Sequence, residues 1–464
     1  MSDAAILARL GALLPPARLR TDADTLASHG RDWTRLYQPD PLAVAFPESV
    51  AEVQALVAIA NDTACPLVPS GGRTGLSGGA VAKSRELVLS FERMNRILGF
   101  DAVDRSVTAE PGVILETLQD YAREHGLQYP VDFAARGSAQ LGGTIATNAG
   151  GIKVIRWGMT RDWVSGLKVV TGRGELLDLN RGLVKNNTGY DLRQLFIGSE
   201  GTLGLIVEAT VRLAEAPQAP AVMVLGLPDL EAIMSAFERL RAALRLTAFE
   251  CFSAQALSYV TAHGQPRPFE TETPWYVLAE YDAAEERDTE AAMAAFETLA
   301  EDGIVLDGVL SQSDSQWRAL WRLREDITES IAHRLPYKND VSVRVARVPE
   351  FLRAMDELFA REYPDFEVIW FGHVGDGNLH ISVLQPPEMA RADFVAACEQ
   401  VSEHLFATLA ALGGSISAEH GVGLVKKPYL SYSRDPAEIS YLRAIRAAFD
   451  PNGILNPGKL FDPA

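Results

Sequence analysis

Apolar positions recur at helical spacing from Ala4 to Leu14, where Pro15 and Pro16 stop them, and again over SVAEVQALVAIAND (49–62), which Ser49 caps. PLVPSGG follows as a short strand running into a glycine turn. LVLSF (87–91), SVTAEPGV (106–113) and GLKVVTGRGELLDL (166–179) carry the β-branched runs of further strands, the last a hairpin across Gly172 to Gly174. Up to about Leu213 the pattern is therefore sheet-rich, with glycine clusters between elements. Beyond Glu215 the texture changes. EAPQAPAV is a proline-containing connector, and helices rich in Ala, Leu, Glu and Arg follow, starting with DLEAIMSAFERLRAALR. Helices at 286–302, 315–334, 348–362 and 391–412 interleave with strands at PWYVLAEYD, EVIWFGHVG and LHISVL, which predicts a helix-covered sheet. A helix, a DPNG turn and an extended tail close the chain.

Composition narrows the functional classes. A chain of 464 residues with 47% hydrophobic and 22% charged residues can bury a substantial core. With 61 acidic against 43 basic residues the formal charge is -18, and no basic stripe offsets it, so nucleic acid is excluded as the expected partner. Cys65, Cys251 and Cys398 are too dispersed for a metal knuckle and too few for a disulfide framework, which fits a reducing compartment. The N-terminal stretch lacks a basic leader, and no apolar run approaches the roughly 18 residues of a membrane span. A soluble, cytoplasmic protein with no transmembrane segment is expected.

Three glycine-rich segments carry candidate chemistry. PSGGRTGLSGG (69–79) follows a strand directly, and glycine there lets backbone N–H groups converge on an anion. Read alone, such a loop is either an anion site or a surface turn. It matches neither the dinucleotide fingerprint nor a P-loop. Two further clusters, RGSAQLGGTIATNAGGIKVIRWG (136–158) and NNTGYDLRQLFIGSEGTLGLIVEATVRL (186–213), make three turns an inadequate account and suit a long ligand with a pyrophosphate middle.

Histidines supply the second constellation. In FGHVGDGNLHISV a two-residue type I′ turn at Asp376-Gly377 would place His373 opposite His380, with Cβ atoms about 5 Å apart on one sheet face, close enough to share a metal. An ordinary hairpin is the alternative. GGSISAEHGVG places Glu419 beside His420, and Gly421 and Gly423 permit the turn that both would need to serve one site. Two His and one Glu is a catalytic zinc set, and without thiolate it also suits cobalt or manganese. Arg324 and Thr328, four residues apart, would share a helix face with Lys338 soon after, as an anion clamp or as a solvated surface.

Taken in order, PSGGRTGLSGG, GGTIATNAGG, NTGYDLRQLFIGSEGTLG, GHVGDGNLH, SAEHGVG and DPNGILNPGK resemble the vanillyl-alcohol oxidase/PCMH flavoprotein superfamily, from about residue 35 to the C-terminus. Within it they resemble the FAD-linked D-2-hydroxy-acid dehydrogenases, and most of all the D-2-hydroxyglutarate branch. The resemblance implies an α+β fold: a two-part PCMH-type FAD-binding domain (1–215), an α/β substrate and metal domain with an antiparallel sheet (216–420), and a C-terminal segment (421–464) returning to the FAD. It implies that Pro69, Ser70, Gly71, Gly72, Arg73, Thr74, Gly75, Ser77, Gly78 and Gly79 wrap the FAD pyrophosphate. Gly143, Thr147, Asn148, Gly150, Gly151 and Gly158 would lie near the isoalloxazine or ribityl chain, with Glu200, Gly201, Gly204 and Ile206 on the adenine side and Asn456 reaching back from the tail. Arg73 stands where some members attach flavin through a histidine, so noncovalent FAD is expected. His373, His380 and Glu419 match metal ligands, His420 the catalytic base, and Arg324, Thr328 and Lys338 the substrate-carboxylate anchors. Ser382, a shorter side chain with one hydroxyl, stands at a substrate-binding position where relatives often have Asn.

The resulting expectation is oxidation of D-2-hydroxyglutarate to 2-oxoglutarate. It includes FAD, a divalent metal such as zinc, a small 2-hydroxy dicarboxylic acid as substrate, an electron-transfer flavoprotein or quinone as acceptor, and a homodimer. D-lactate dehydrogenase, a noncatalytic flavin electron carrier and a nicotinamide-dependent reductase are the competing expectations.

Overall fold

A computed structural model describes residues 1–462, which divide into two units. The first comprises Met1–Gly150, Met159–Ala216 and Glu419–Ala464. Its N-terminal part is a four-stranded sheet in which Ala43–Ala45, Leu87–Ser90 and Leu67–Ser70 run parallel and Leu19–Arg20 pairs antiparallel at the edge. Helices Asp3–Leu13 and Val50–Thr63 cover it, and the Ser49 hydroxyl accepts the Glu52 N–H as its cap. A second sheet joins Ile97–Asp101, Ser106–Ala109, Gly204–Arg212, Val164–Thr171 and Leu176–Leu179, all antiparallel, including the expected hairpin. Each sheet has its own apolar core; Leu455, from the C-terminal stretch, lies in the first.

The second unit, Gly151–Gly158 with Pro217–Ala418, is built on a seven-stranded antiparallel sheet. Its order is Asp307–Leu310, Pro220–Leu227, Trp275–Asp282, Leu246–Ser253, Glu367–Gly372, Asn378–Leu384 and Tyr337–Ser342. One face carries Val224, Leu278, Phe252 and Phe371 and packs under Leu257, Leu320, Trp321 and Ile327 of the helices above.

Several expectations change. The unit boundaries fall at 216/217 and 418/419, the last stretch folds with the first unit, and residues 151–158 leave it for the second. There the Lys153 ammonium pairs with Glu280, a carboxylate 1% exposed, and lies 4.7 Å over the Trp321 ring. The helix expected at 315–334 breaks into Asp314–Glu325, Ile327–Ser330 and a 3-10 turn at Ala332–Arg334, with the break at Asp326, whose carboxylate accepts from Arg322 and Gln265. Strand Leu246–Ser253 had no sequence signal. All eight of its residues are buried, so the alternation that marks a half-buried strand is missing.

Candidate active site

In the first unit, strand Leu67–Ser70 delivers the chain into the glycine loop. Among the described residues, none of the backbone N–H groups from Gly71 to Ser77 finds a protein acceptor. A row of unsatisfied N–H groups is an anion cradle, which fits a pyrophosphate. Gly72 is required for close packing, since a Cβ there would sit 1.9 Å from the Ser138 carbonyl oxygen. Gly143 is different: in helix Leu141–Thr147 a Cβ would meet nothing within 4 Å, so packing gives no reason for a residue that weakens a helix. Buried side-chain oxygens of Ser70, Gln140 and Asn456 likewise lack hydrogen-bond partners. These features fit FAD.

Other expected flavin residues have structural occupations. The Gly78 N–H donates to the buried Asp32 carboxylate at 2.7 Å; burial raises the Asp32 pKa even though Thr34 and Gly78 donate to it. Asn456 Nδ2 donates to the carbonyls of Gly79 and Glu200 at 2.9 and 2.7 Å. Asn148 Oδ1 accepts the Arg161 N–H. Gly201 and Gly204 admit Pro69 and Val169, whose side-chain carbons would lie 2.4 Å from an added Cβ, and Ile206 is a core residue. Gly151 and Gly158 fall in the second unit. Arg73, Asn148, Glu200 and Asn456 all adopt positive φ, the backbone strain that clusters at ligand sites. Arg73 also pairs with Glu92 at 2.7 Å; the His29 imidazole 3.2 Å away and then the Arg73 hydrogen bond hold the Glu92 carboxyl down at about 2.

The Glu419-His420 segment is fastened within this unit. Ser77 Oγ donates to the His420 carbonyl at 2.5 Å, and the Glu200 carboxylate accepts the N–H groups of Val422 and Gly423 at 2.7 and 2.8 Å. Gly421 and Gly423 take φ of +80° and +51°, so the chain does turn after the histidine. Glu200 is thus a loop clamp, and burial raises its pKa.

In the second unit His373 and His380 come together by a different route from the expected hairpin. His380 pairs with Phe371, not with His373. A type I′ turn needs positive φ at both central residues, whereas only Gly377 has it (φ +86°); Val374–Asp376 instead form a 3-10 turn in which the Asp376 N–H donates to the His373 carbonyl and the Gly377 N–H to the Val374 carbonyl. His373 consequently leaves the strand and turns its ring edge-on to His380, with Nε2 atoms 3.4 Å apart. Two nitrogens bound tetrahedrally at about 2.0–2.1 Å to zinc are separated by about 3.3–3.4 Å, so the pair fits one ion. Each ring has a carboxylate at its other nitrogen: Glu250 Oε1 lies 2.7 Å from His373 Nδ1, and Asp340 Oδ1 lies 3.8 Å from His380 Nδ1.

Of the expected anchors, Arg324 is buried over the Phe371 ring at 4.8 Å, Thr328 is exposed beyond the helix break, and Lys338 stands opposite the buried Ser382 in the strand register. Arg324, Ser382, Lys338, His380 and Asp340 therefore gather around one face of the sheet. Glu250, Asp340 and Asp32 were missed. Their only signal is a charge within an otherwise apolar or turn segment, as in LTAFECFS.

A family model described as "FAD binding domain" matches residues 41–180, and one described as "FAD linked oxidases, C-terminal domain" matches 216–460. The D-2-hydroxyglutarate dehydrogenase of Stutzerimonas stutzeri is 54% identical over 99% of this chain and 100% of its own length. That of Xanthomonas citri pv. viticola is 58% identical over 100% and 98%. A putative mitochondrial D-lactate dehydrogenase of Schizosaccharomyces pombe is 36% identical over 98% and 88%. Among solved structures, p-cresol methylhydroxylase matches with a TM-score of 0.75 at 17% identity, covering 99% of this chain and 97% of that one, a likeness of fold alone. No helix among the described residues is long and apolar enough to cross a membrane.

Proposed function

Because the chain belongs to the FAD-linked D-2-hydroxy-acid dehydrogenases of the vanillyl-alcohol oxidase/PCMH superfamily, we propose that it oxidises D-2-hydroxyglutarate to 2-oxoglutarate. The observation that carries this reading is the gathering of paired imidazoles, Arg324 and Lys338 around one sheet face, which provides for an ion and for more than one carboxylate.

Bound FAD supplies the hydride acceptor, and a divalent ion, zinc in this reading, supplies Lewis acidity at the C2 hydroxyl. His373 and His380 would hold the ion, with Glu419 as the proposed third ligand. His420 would take the hydroxyl proton, and the Ser77 and Glu200 hydrogen bonds to its segment keep the backbone beneath it fixed. Arg324 suits a carboxylate through its planar fork, while Lys338 acts as a point charge. Thr328 and Ser382 are the proposed hydroxyl contacts. The Gly71–Ser77 amides would hold the FAD pyrophosphate noncovalently, with the remaining glycine-loop residues and Asn456 around it. Electrons would leave to an electron-transfer flavoprotein or a quinone, from a protein working in the cytoplasm as a homodimer.

Anaerobic flavin bleaching with a panel of D-2-hydroxy acids, before and after chelator, tests the reading. D-2-hydroxyglutarate should bleach the flavin fastest, and chelator should abolish the reaction. Preference for D-lactate by a wide margin would overturn the substrate assignment, and no bleaching with any 2-hydroxy acid would favour an electron-carrier role.

A further inference from the structure

Glu250 lies in a strand whose eight residues are all buried, and is itself 1% exposed. A carboxylate in such a place is costly unless both its oxygens are compensated. Oε1 is hydrogen-bonded to His373 Nδ1 at 2.7 Å, and Oε2 is compensated by charge, lying 2.8 Å from Arg324 Nε in an ion pair that is not aligned as a hydrogen bond. Phe252, two residues on, pairs with Phe371, which in turn pairs with His380, so Glu250 belongs to the same sheet face as the paired histidines.

Resting on the dehydrogenase reading above, we propose that Glu250 is a positioning residue shared by His373 and Arg324, one buried carboxylate that holds the metal ligand and the substrate anchor in register. Through Oε1 it keeps the proton on His373 Nδ1, leaving the Nε2 lone pair directed at His380 and the ion. Through Oε2 it stands as the buried counter-ion of the Arg324 guanidinium, 2.8 Å from Nε, and the Phe371 ring lies 4.8 Å under that guanidinium, so the cation is held in place to meet a carboxylate. A purely structural ion pair would need Arg324 alone. The second oxygen on His373 gives Glu250 a role in both binding events.

The test compares the holoenzyme with E250Q, E250D and E250Q/R324M. Zinc affinity is read by competition with a chromophoric chelator, and kcat and KM for D-2-hydroxyglutarate are read at saturating zinc. E250Q should keep its flavin and bind zinc about 10- to 100-fold more weakly. Its KM should rise by about tenfold with a smaller change in kcat, and E250D should recover part of the zinc affinity. Should E250Q fail to fold, E250Q/R324M, which leaves no guanidinium without its counter-ion, carries the zinc measurement with the same expected loss. Wild-type zinc affinity and KM in folded E250Q, or wild-type zinc affinity in the double variant, would overturn the proposal. The dehydrogenase reading fails separately, if wild-type flavin is not bleached by any D-2-hydroxy acid; the zinc comparison then still decides the role of Glu250.

Discussion

Adjacent glycines in helix Leu141–Thr147 should respond oppositely to the same substitution. A Cβ at Gly142 would lie 2.6 Å from Pro111 Cβ and 3.2 Å from the Pro111 carbonyl oxygen. The Gly142 N–H also donates to that carbonyl at 2.8 Å, so the helix cannot simply withdraw. Gly142→Ala therefore overpacks a fixed contact, at a cost of about 1–3 kcal/mol. At Gly143 the added methyl meets nothing within 4 Å, and Ala in place of Gly should stabilise the flavin-free protein by up to about 1 kcal/mol. If that open face receives the flavin, the methyl intrudes on it. A cost of about 1–3 kcal/mol then weakens FAD binding about 5- to 150-fold. Urea unfolding of the flavin-free proteins gives the first pair of numbers, and fluorescence titration with FAD gives the second. A Gly143→Ala variant that is stabilised yet binds FAD like wild type would refute the placement of the flavin on this helix. A Gly142→Ala variant as stable as wild type would refute the packing argument.

Other expectations concern the charged and imidazole groups. Glu92, whose carboxyl is lowered to about 2 from 4.5, contributes stability above about pH 4.5 that is lost as pH falls through about 2. The shift alone would amount to about 3 kcal/mol, but Glu92 is 37% exposed, so the advantage of wild type over Glu92→Gln should be on the order of 1 kcal/mol at pH 5–6 and absent near pH 2. Lys153→Met leaves Glu280 buried without its cation and should cost about 3–5 kcal/mol in urea unfolding; a loss below about 1 kcal/mol would mean that Thr247, Trp317 and Trp321 suffice as donors. His373→Ala should lose metal and activity together, and unchanged metal content would remove it from the ligand set. His420→Ala should stay yellow and reduce its flavin about 10²- to 10⁴-fold more slowly, and normal bleaching would remove the base assignment.

Local chemistry was readable along the chain because it depends on residue type and short spacing. Loop 69–79 announced through glycine a turn rich in unpaired backbone N–H groups, and the Gly421/Gly423 pair announced a turn after His420. His373 and His380 were paired correctly but by the wrong geometry: Asp376 does not take the positive φ that the assumed turn required, and the register slipped so that Phe371 faces His380. Contacts between distant segments left no such trace. Nothing around Glu250 in the sequence points to His373 or Arg324, and nothing near Asp32 points to Gly78. Likewise, Lys153 is flanked in sequence by flavin-loop residues yet folds with the second unit, against Glu280 of that unit's own sheet. Sequence alone determined which groups are present and the turns that glycine allows, since those follow from side-chain chemistry and backbone sterics. Tertiary structure alone decided which buried charge faces which partner. That choice is made by strand order and by the cost of leaving a carboxylate unpaired in an apolar interior.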